Sequence, residues 1–183
     1  MKIQYQYMIP PFFKPYKEMT AREADQYFEY YVSQIPIRIE YLQNFLDKNV
    51  DKKIRLDFTE NSLVEFWDWY GDLLVDQQKT DYQENTPLHL SYGVLGISSD
   101  FAMYFGELFV QKHPTIRWGY LKKPKNHIFF QRPSLMGFQH NLCYCPEQTI
   151  SVLVCQALEE KIQMKFLTQL RLGKKEFKEE VYK

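Results

Sequence analysis

Histidine and cysteine side chains cluster near residues 140 to 145, where their types and spacing could bind a metal. His140, Cys143 and Cys145 follow one another closely. A fourth ligand would come from elsewhere in the chain, and the candidates are His113, His127 and Cys155. Zinc favours such donors in a tetrahedron, but structural zinc sites usually present two knuckles of paired ligands, and only one loose cluster is present. We therefore expect no metal or other cofactor, and we expect these cysteines to pack at a strand-to-helix junction.

Cys145 is also the candidate for a catalytic nucleophile. It directly precedes Pro146, a residue suited to the first turn of a helix, and the positive end of a helix dipole lowers the pKa of a thiol. The surrounding residues match no cysteine-nucleophile signature. A capping or packing role is the interpretation we favour.

Glu107 lies in the middle of the apolar segment FAMYFGELFV and is the candidate for a general acid or base. Its helical neighbours would form a mostly polar, solvated edge, and they are Asp100, Met103, Tyr104 and Gln111. A lone carboxylate without a partner motif is rarely catalytic. We instead predict that Glu107 pairs with Arg117 or Arg132 and holds a strand against the helix.

Aromatic, basic and histidine side chains concentrate in IRWGYL and HIFFQRP, two segments with the alternation of strands. Arginine and large aromatic residues are enriched at the centres of protein interfaces, so this region is the candidate binding surface. With Glu107, its candidate residues are Arg117, Trp118, Tyr120, His127, Phe129 and Arg132. The alternative is that Trp118 and Phe129 seal the hairpin onto the preceding helix while Lys122, Lys123 and Lys125 solvate its turn.

Two functions from different classes follow from these residues. The first is a non-enzymatic protein that binds a protein partner through the hairpin, since no phosphate loop, carboxylate pair or serine elbow is present. The second is a small-molecule binder or enzyme with an aromatic pocket between the fourth predicted helix and the hairpin. The pocket residues would be Glu107, His127 and Cys145 among Phe101, Phe105 and Trp118.

Length, charge and cysteine content limit the class of protein. A chain of 183 residues suits a single domain, and 23 basic against 23 acidic residues provide no net field for nucleic acid. The first 17 residues have no continuous apolar run before Pro10 and Pro11, so we expect neither a signal peptide nor an anchor. No other run approaches the roughly 20 apolar residues of a membrane helix. Three cysteines favour the reducing cytosol.

Hydrophobic spacing predicts helices over much of the chain. After an extended arm at 1–17, Thr20 and Glu23 form a capping box that begins the first helix. Pro36 predicts the start of a second helix, because proline is tolerated in a first turn but not in an interior. A third helix begins near Thr59, a polar loop follows at 76–88, and a fourth helix reaches Val110 or a little beyond.

The remaining segments predict a small sheet and a closing helix. Residues 116–121 and 126–131 should pair as a hairpin around LKKPKN, and 134–138 could add a third strand. Pro146 opens a long C-terminal helix with apolar residues to Leu170, followed by a charged tail at 174–183. The predicted fold is mainly α within the α+β class: a bundle-like body, a small antiparallel sheet and a long last helix.

The segments TAREA, YFEYYVSQIPIRIEYL, FWDWYGDLLV, YFGELFV and RWGYL together resemble a group of bacterial conserved hypothetical proteins of unassigned function. The order of a helical front half, an FGE-bearing helix and a Trp-bearing hairpin is more remotely similar to immunity-type proteins that neutralise polymorphic toxins. The second likeness implies a protein partner and no catalytic residues. It carries no binding residue over to this chain.

Overall fold

The chain forms a mainly helical body with one two-stranded sheet. The computed structural model describes residues 4–81 and 91–160. Within those ranges the helices are α1 (Ala21–Asn49), α2 (Glu60–Asp81), α3 (Tyr92–Lys112) and α4 (Pro146–Glu160), and the strands are β1 (Arg117–Gly119) and β2 (Ser134–Met136). Short 3-10 turns lie at Tyr16–Glu18 and Gln139–Asn141. The mainly helical class with a small antiparallel sheet is confirmed.

Helix α1 is longer than its sequence pattern predicts. The capping box is present as expected, with the Thr20 side chain accepting from the Glu23 amide and the Glu23 carboxylate accepting from the Thr20 amide. The predicted break at Pro36 is wrong, because the helix continues through the proline to Asn49. Buried apolar side chains recur at helical spacing on both sides of it, including Ile35 and Ile39. Their packing therefore outweighs the single backbone hydrogen bond that proline removes.

Helix α3 is the centre of the body and packs against α1 and α4. Phe101 on α3 stacks on Phe66 of α2 with ring centroids 3.9 Å apart. The predicted solvated edge of α3 is wrong: Asp100, Met103 and Tyr104 are all fully buried. Because partners surround this helix, its few polar groups bond inside the protein, and Tyr104 OH accepts from the Phe58 amide at 2.8 Å.

From residue 4 to Pro15, the N-terminal arm lies on the helices without forming a helix or strand. Tyr5 and Met8 are buried, and a Cβ atom at Gly96 of α3 would meet the Tyr5 ring at 2.8 Å. Phe13, by contrast, is 84% exposed. The described part of the arm is therefore held by Tyr5 and Met8, while Phe13 leaves an apolar side chain outside the core.

Two other predicted boundaries differ or lie beyond the described residues. The polar loop predicted at 76–88 begins too early, because α2 continues to Asp81. Pro146 does begin the closing helix, as expected. The predicted continuation to Leu170 and the tail at 174–183 lie outside the described residues. Among the described helices, none combines the length and apolar character needed to cross a membrane.

The sheet is antiparallel, but its second strand differs from the one predicted. Arg117, Trp118 and Gly119 of β1 pair with Met136, Leu135 and Ser134 of β2, respectively. The predicted partner, 126–131, is mostly turns and contributes one isolated parallel bridge between Leu121 and Phe130. The 134–138 segment, expected as an optional third strand, thus supplies the pairing. Residues 120–133 consequently form a long connection, which we call the β1–β2 loop.

Candidate functional site

The β1–β2 loop is anchored to the N-terminal end of α1. Tyr120 donates a hydrogen bond to the Asp25 carboxylate and packs against Phe28 at a ring distance of 5.3 Å. At the other end of the loop, Gln131 has a left-handed backbone conformation with φ 60°. With its amide nitrogen turned toward the arm, Gln131 donates to the Tyr16 and Met19 carbonyl oxygens. Both ends of the loop are therefore fixed by specific contacts.

The middle of the same loop faces solvent. Ile128 is 60% exposed, a large apolar side chain outside the core. The exposed basic side chains around this region are Arg117, Lys122, Lys123 and Lys125. Residues 108–146 contain six of the 23 basic residues of the chain and none of its 23 acidic ones. The zero net charge of the whole chain conceals this separation of basic from acidic residues. Counting charges segment by segment along the sequence would have detected it.

Trp118 seals β1 onto α3, as the second interpretation of the hairpin predicts. A Cβ atom on Gly106 would lie far inside van der Waals distance of the indole ring, and the Tyr31 ring centroid is 5.6 Å from that of Trp118. Trp118 Nε1 donates to Glu107 Oε2 at 3.1 Å. The described residues contain no ion pair between Glu107 and either predicted arginine, so the predicted salt bridge is wrong. The indole takes its place in linking strand to helix.

His127 and Phe129 form a local turn within the loop. The Phe129 amide donates to His127 Nδ1 at 3.0 Å, and the two rings lie 5.5 Å apart. Both side chains are partly buried. They lie in the same loop as Tyr120 and Arg132, whereas Trp118 and Glu107 face each other at the junction of strand and helix. The predicted site residues therefore divide between an outer loop and an inner seam.

Sequence reasoning missed a cluster of polar and aromatic side chains where the arm, α1, the β1–β2 loop and α4 meet. We call it the tyrosine cluster and define it by Tyr16, Tyr27, Tyr31, Arg132 and Glu147. Tyr16 donates to the Tyr27 hydroxyl at 3.1 Å, and the Glu147 carboxylate lies near this pair of phenols. The Arg132 guanidinium carbon lies 5.1 Å from the Tyr16 ring centroid. All of these except Tyr31 keep partial solvent exposure.

Electrostatics in the tyrosine cluster favour neutral phenols. Burial raises the pKa of Tyr16 and Tyr31 above the ordinary value, and the nearby Glu147 charge raises both further. Burial also raises the pKa of Tyr27 to about 12. The pKa of Glu147 is raised by burial as well, while the Arg132 charge and the nearby Tyr16 hydroxyl oppose that rise. One carboxyl and one guanidinium thus lie among phenols that stay protonated.

We expect the protein to unfold at alkaline pH because many tyrosines must stay protonated in the fold. Tyrosines with a raised pKa are Tyr5, Tyr7, Tyr16, Tyr27, Tyr31, Tyr70, Tyr104, Tyr120 and Tyr144. In the unfolded chain these tyrosines have a pKa near 10, whereas in the folded protein the pKa of Tyr27 and of Tyr144 is about 12. Stability is therefore complete below pH 10 and falls as pH rises from 10 toward about 12. Circular dichroism and phenolate absorbance should change together, and phenolate absorbance that is complete before any loss of helix would contradict the prediction.

The cysteines and histidines do not converge. Within residues 4–81 and 91–160, no three histidine, cysteine, aspartate or glutamate side chains are grouped so as to bind a metal ion. Cys145 is buried, and its thiol donates to the Pro133 carbonyl at 3.6 Å. Burial raises the pKa of the Cys145 thiol, so the hypothesis of an activated thiolate is contradicted. Its packing at the start of α4 agrees with the interpretation that we favoured.

A buried ion pair joins the arm, α1 and α3, and no motif pointed to it. Arg38 Nε and Nη2 donate to Asp100 Oδ1 and Oδ2 at 2.9 and 2.6 Å, respectively. Nη2 also donates to the Gln6 carbonyl at 2.6 Å, and Tyr5 donates to the same carboxylate. Burial raises the pKa of Asp100, and the hydrogen bonds from Arg38 and Tyr5 oppose that rise. The two charged groups and the Tyr5 hydroxyl all have hydrogen-bond partners within this cluster. We therefore interpret the cluster as structural.

Comparison with known proteins identifies no relative of this chain. The chain was compared with protein-family models, with curated proteins and with solved structures, and none of the three comparisons finds a match.

Proposed function

We propose that this chain is a cytosolic, non-enzymatic protein that binds the acidic surface of a protein partner through the β1–β2 loop. The observation that carries the proposal is that the ends of this loop are held by hydrogen bonds while its middle is exposed to solvent. Tyr120 and Gln131 anchor its ends, whereas Lys123, Lys125 and Ile128 are exposed and are not needed for those anchors. A fixed loop presents its exposed groups at little cost in conformational entropy on binding.

The chemistry of the loop favours a protein over a nucleic acid. Protein interfaces combine a desolvated apolar centre with a polar rim, and Ile128 among lysines has that composition. A nucleic-acid surface would extend its positive field over more of the molecule, but the chain as a whole is neutral. The lysines would steer an acidic partner into contact, and the isoleucine would contribute most of the buried apolar area.

An immunity-type role is the biological setting that we propose for this binding. It rests on the remote resemblance of the helix order and the RWG-bearing strand to toxin-neutralising proteins. In that setting the partner is a toxin domain with an acidic surface, and neutralisation needs no catalytic group in this chain. Co-expression with the product of a neighbouring reading frame, scored as rescue of growth, tests the setting separately from the binding surface.

Charge reversal in the loop tests the binding proposal. We expect Lys123→Glu with Lys125→Glu to lower recovery of an acidic partner from native lysate by about tenfold, because about 1.4 kcal/mol of attraction is lost. The matched control is Lys52→Glu with Lys53→Glu, an equally exposed pair near the end of α1. Quantitative mass spectrometry of chemically cross-linked complexes is the measurement.

Three results would count against the proposal. Equal recovery by wild type and the loop variant would remove the loop from the interface. An equal loss of partner recovery in the loop variant and the control variant would show that the effect arises from net charge and not from the loop. Loss of capture after nuclease treatment would assign the lysines to a nucleic acid, contrary to a protein partner.

A further inference from the structure

Helix α2 presents a second charged surface, opposite in sign to the β1–β2 loop. The helix contains six acidic residues and one basic residue. Asp68, Asp72 and Asp76 are exposed and follow one another at intervals of four residues, which places them on one side of the helix. Val75, an apolar side chain that is 39% exposed, lies on the same side. We call this surface the acidic face and define it by these four residues.

The charges on the two surfaces are not compensated from within the molecule. Among the side chains that the structure describes, no lysine or arginine forms an ion pair with Asp68 or Asp72. Like charges four residues apart repel each other along a helix, so the acidic face favours an approaching cation. In the same described part of the chain, Lys123 and Lys125 of the loop have no acidic partner either. Each surface therefore favours a surface of the opposite charge.

The two surfaces also match in composition. The loop presents Ile128 among lysines, and the acidic face presents Val75 among aspartates. When the two meet, each lysine approaches a carboxylate, and the two exposed apolar side chains can cover each other. Opposite charges around a small apolar contact are the arrangement that selects one protein surface for another.

The loop cannot reach the acidic face of its own chain. Tyr120 fixes the loop to Asp25, near the start of α1. Helix α2 instead packs near the end of α1, where the Trp69 and Phe45 ring centroids are 6.4 Å apart. The stretch of α1 from Asp25 to Phe45 is about 30 Å long, well beyond the length of a lysine side chain. Contact between the two surfaces therefore requires two molecules.

We propose that the β1–β2 loop of one copy of this chain docks on the acidic face of a second copy. The inference rests on the proposed function, because it uses the preference of the loop for an acidic surface, and it names what the loop binds before a partner arrives. Every copy offers both halves of the contact, since the surfaces that meet are unlike. One loop on one helix face buries less area than a stable dimer needs, so the contact is weak and forms near about 0.1 mM chain.

Sedimentation velocity of the full chain at about 0.01 to 1 mM tests the contact. We expect the average mass to rise with concentration at low salt and to return toward the monomer at about 0.5 M salt, where exposed charges are screened. Asp68→Lys with Asp72→Lys should weaken association at least about tenfold, and so should Lys123→Glu with Lys125→Glu. An equimolar mixture of these two variants should associate again, because each reversed loop then meets a reversed helix.

The matched control for the helix variant is Glu40→Lys with Asp51→Lys, which changes net charge equally at exposed positions outside the acidic face. The control should associate like the wild type. A wild-type chain that stays monomeric up to about 1 mM would overturn the inference. A mixture of the two reversed variants that stays monomeric would overturn it as well.

Recovery of an acidic partner separates this inference from the proposed function. Asp68→Lys with Asp72→Lys should raise that recovery, because the loop is no longer occupied by a second copy, whereas partner binding alone predicts no change. If the chain does not self-associate but the loop variant still loses its partner, only the inference fails. If self-association follows the charge reversals but the loop variant keeps its partner, only the proposed function fails.

Discussion

Replacing Asp100 by alanine is expected to destabilise the protein by about 3–5 kcal/mol, the usual cost of removing one partner from a buried ion pair. The carboxylate is fully buried and accepts from Arg38 and Tyr5. Its removal leaves a guanidinium inside the protein with the Gln6 carbonyl as its remaining hydrogen-bond acceptor. Because that carbonyl belongs to the arm, the arm should also detach more readily. Urea unfolding followed by circular dichroism measures the loss.

Two companion variants show whether the loss arises from the unpaired charge. Asp72→Ala removes an exposed aspartate from α2 and should change stability by less than about 0.5 kcal/mol. Arg38→Met combined with Asp100→Leu replaces the pair by apolar groups and should recover a substantial part of the loss, as such replacements often do. A loss below about 1 kcal/mol for Asp100→Ala would show that the pair contributes no more than an ordinary hydrogen bond.

The helices could be predicted from the sequence because their signals are local. The Thr20 capping box, the helix end a little beyond Val110 and the helix start at Pro146 each depend on a few adjacent residues, and the structure contains all three. The predicted helix break at Pro36 was wrong because it, too, relied on a local signal. A local rule places a break there, but the buried face of α1 continues across it, and packing with distant residues decides the outcome.

The strand pairing and the charged clusters could not be predicted because they depend on residues far apart in the chain. Residues 126–131 and 134–138 both have plausible strand composition, and the contacts that hold the loop, from Tyr120 to α1 and from Gln131 to the segment before α1, are with residues distant in sequence. Arg38 and Asp100 are separated by 62 positions. The tyrosine cluster likewise requires the arm to reach the start of α4. Alternation and periodicity identify faces, but they do not identify which faces meet.

A pair of glycine-to-alanine substitutions should give opposite results, because the two glycines have different surroundings. At Gly71 in α2, an added Cβ would have no atom within 4 Å other than its chain neighbours and the adjacent backbone of its own helix. Alanine there should stabilise the protein by about 0.5–1 kcal/mol, since glycine is a poor residue in a helix interior. At Gly106 in α3 the added methyl group would overlap the Trp118 indole and lie 3.1 Å from Pro146 Cγ. We expect Gly106→Ala to destabilise by about 1–3 kcal/mol despite its better helix propensity.

The response of Trp118 decides whether this interpretation of Gly106 is correct. If the methyl group displaces the indole, the hydrogen bond from Trp118 Nε1 to Glu107 is lost and tryptophan fluorescence shifts toward that of an exposed ring. Combining Gly106→Ala with Trp118→Ala should then cost less than the sum of the single changes, because the clash disappears with the ring. Additive effects, or an unshifted spectrum in Gly106→Ala, would mean that the seam between β1 and α3 accommodates a methyl group. The close approach of strand and helix would then have another cause than the absence of a side chain at residue 106.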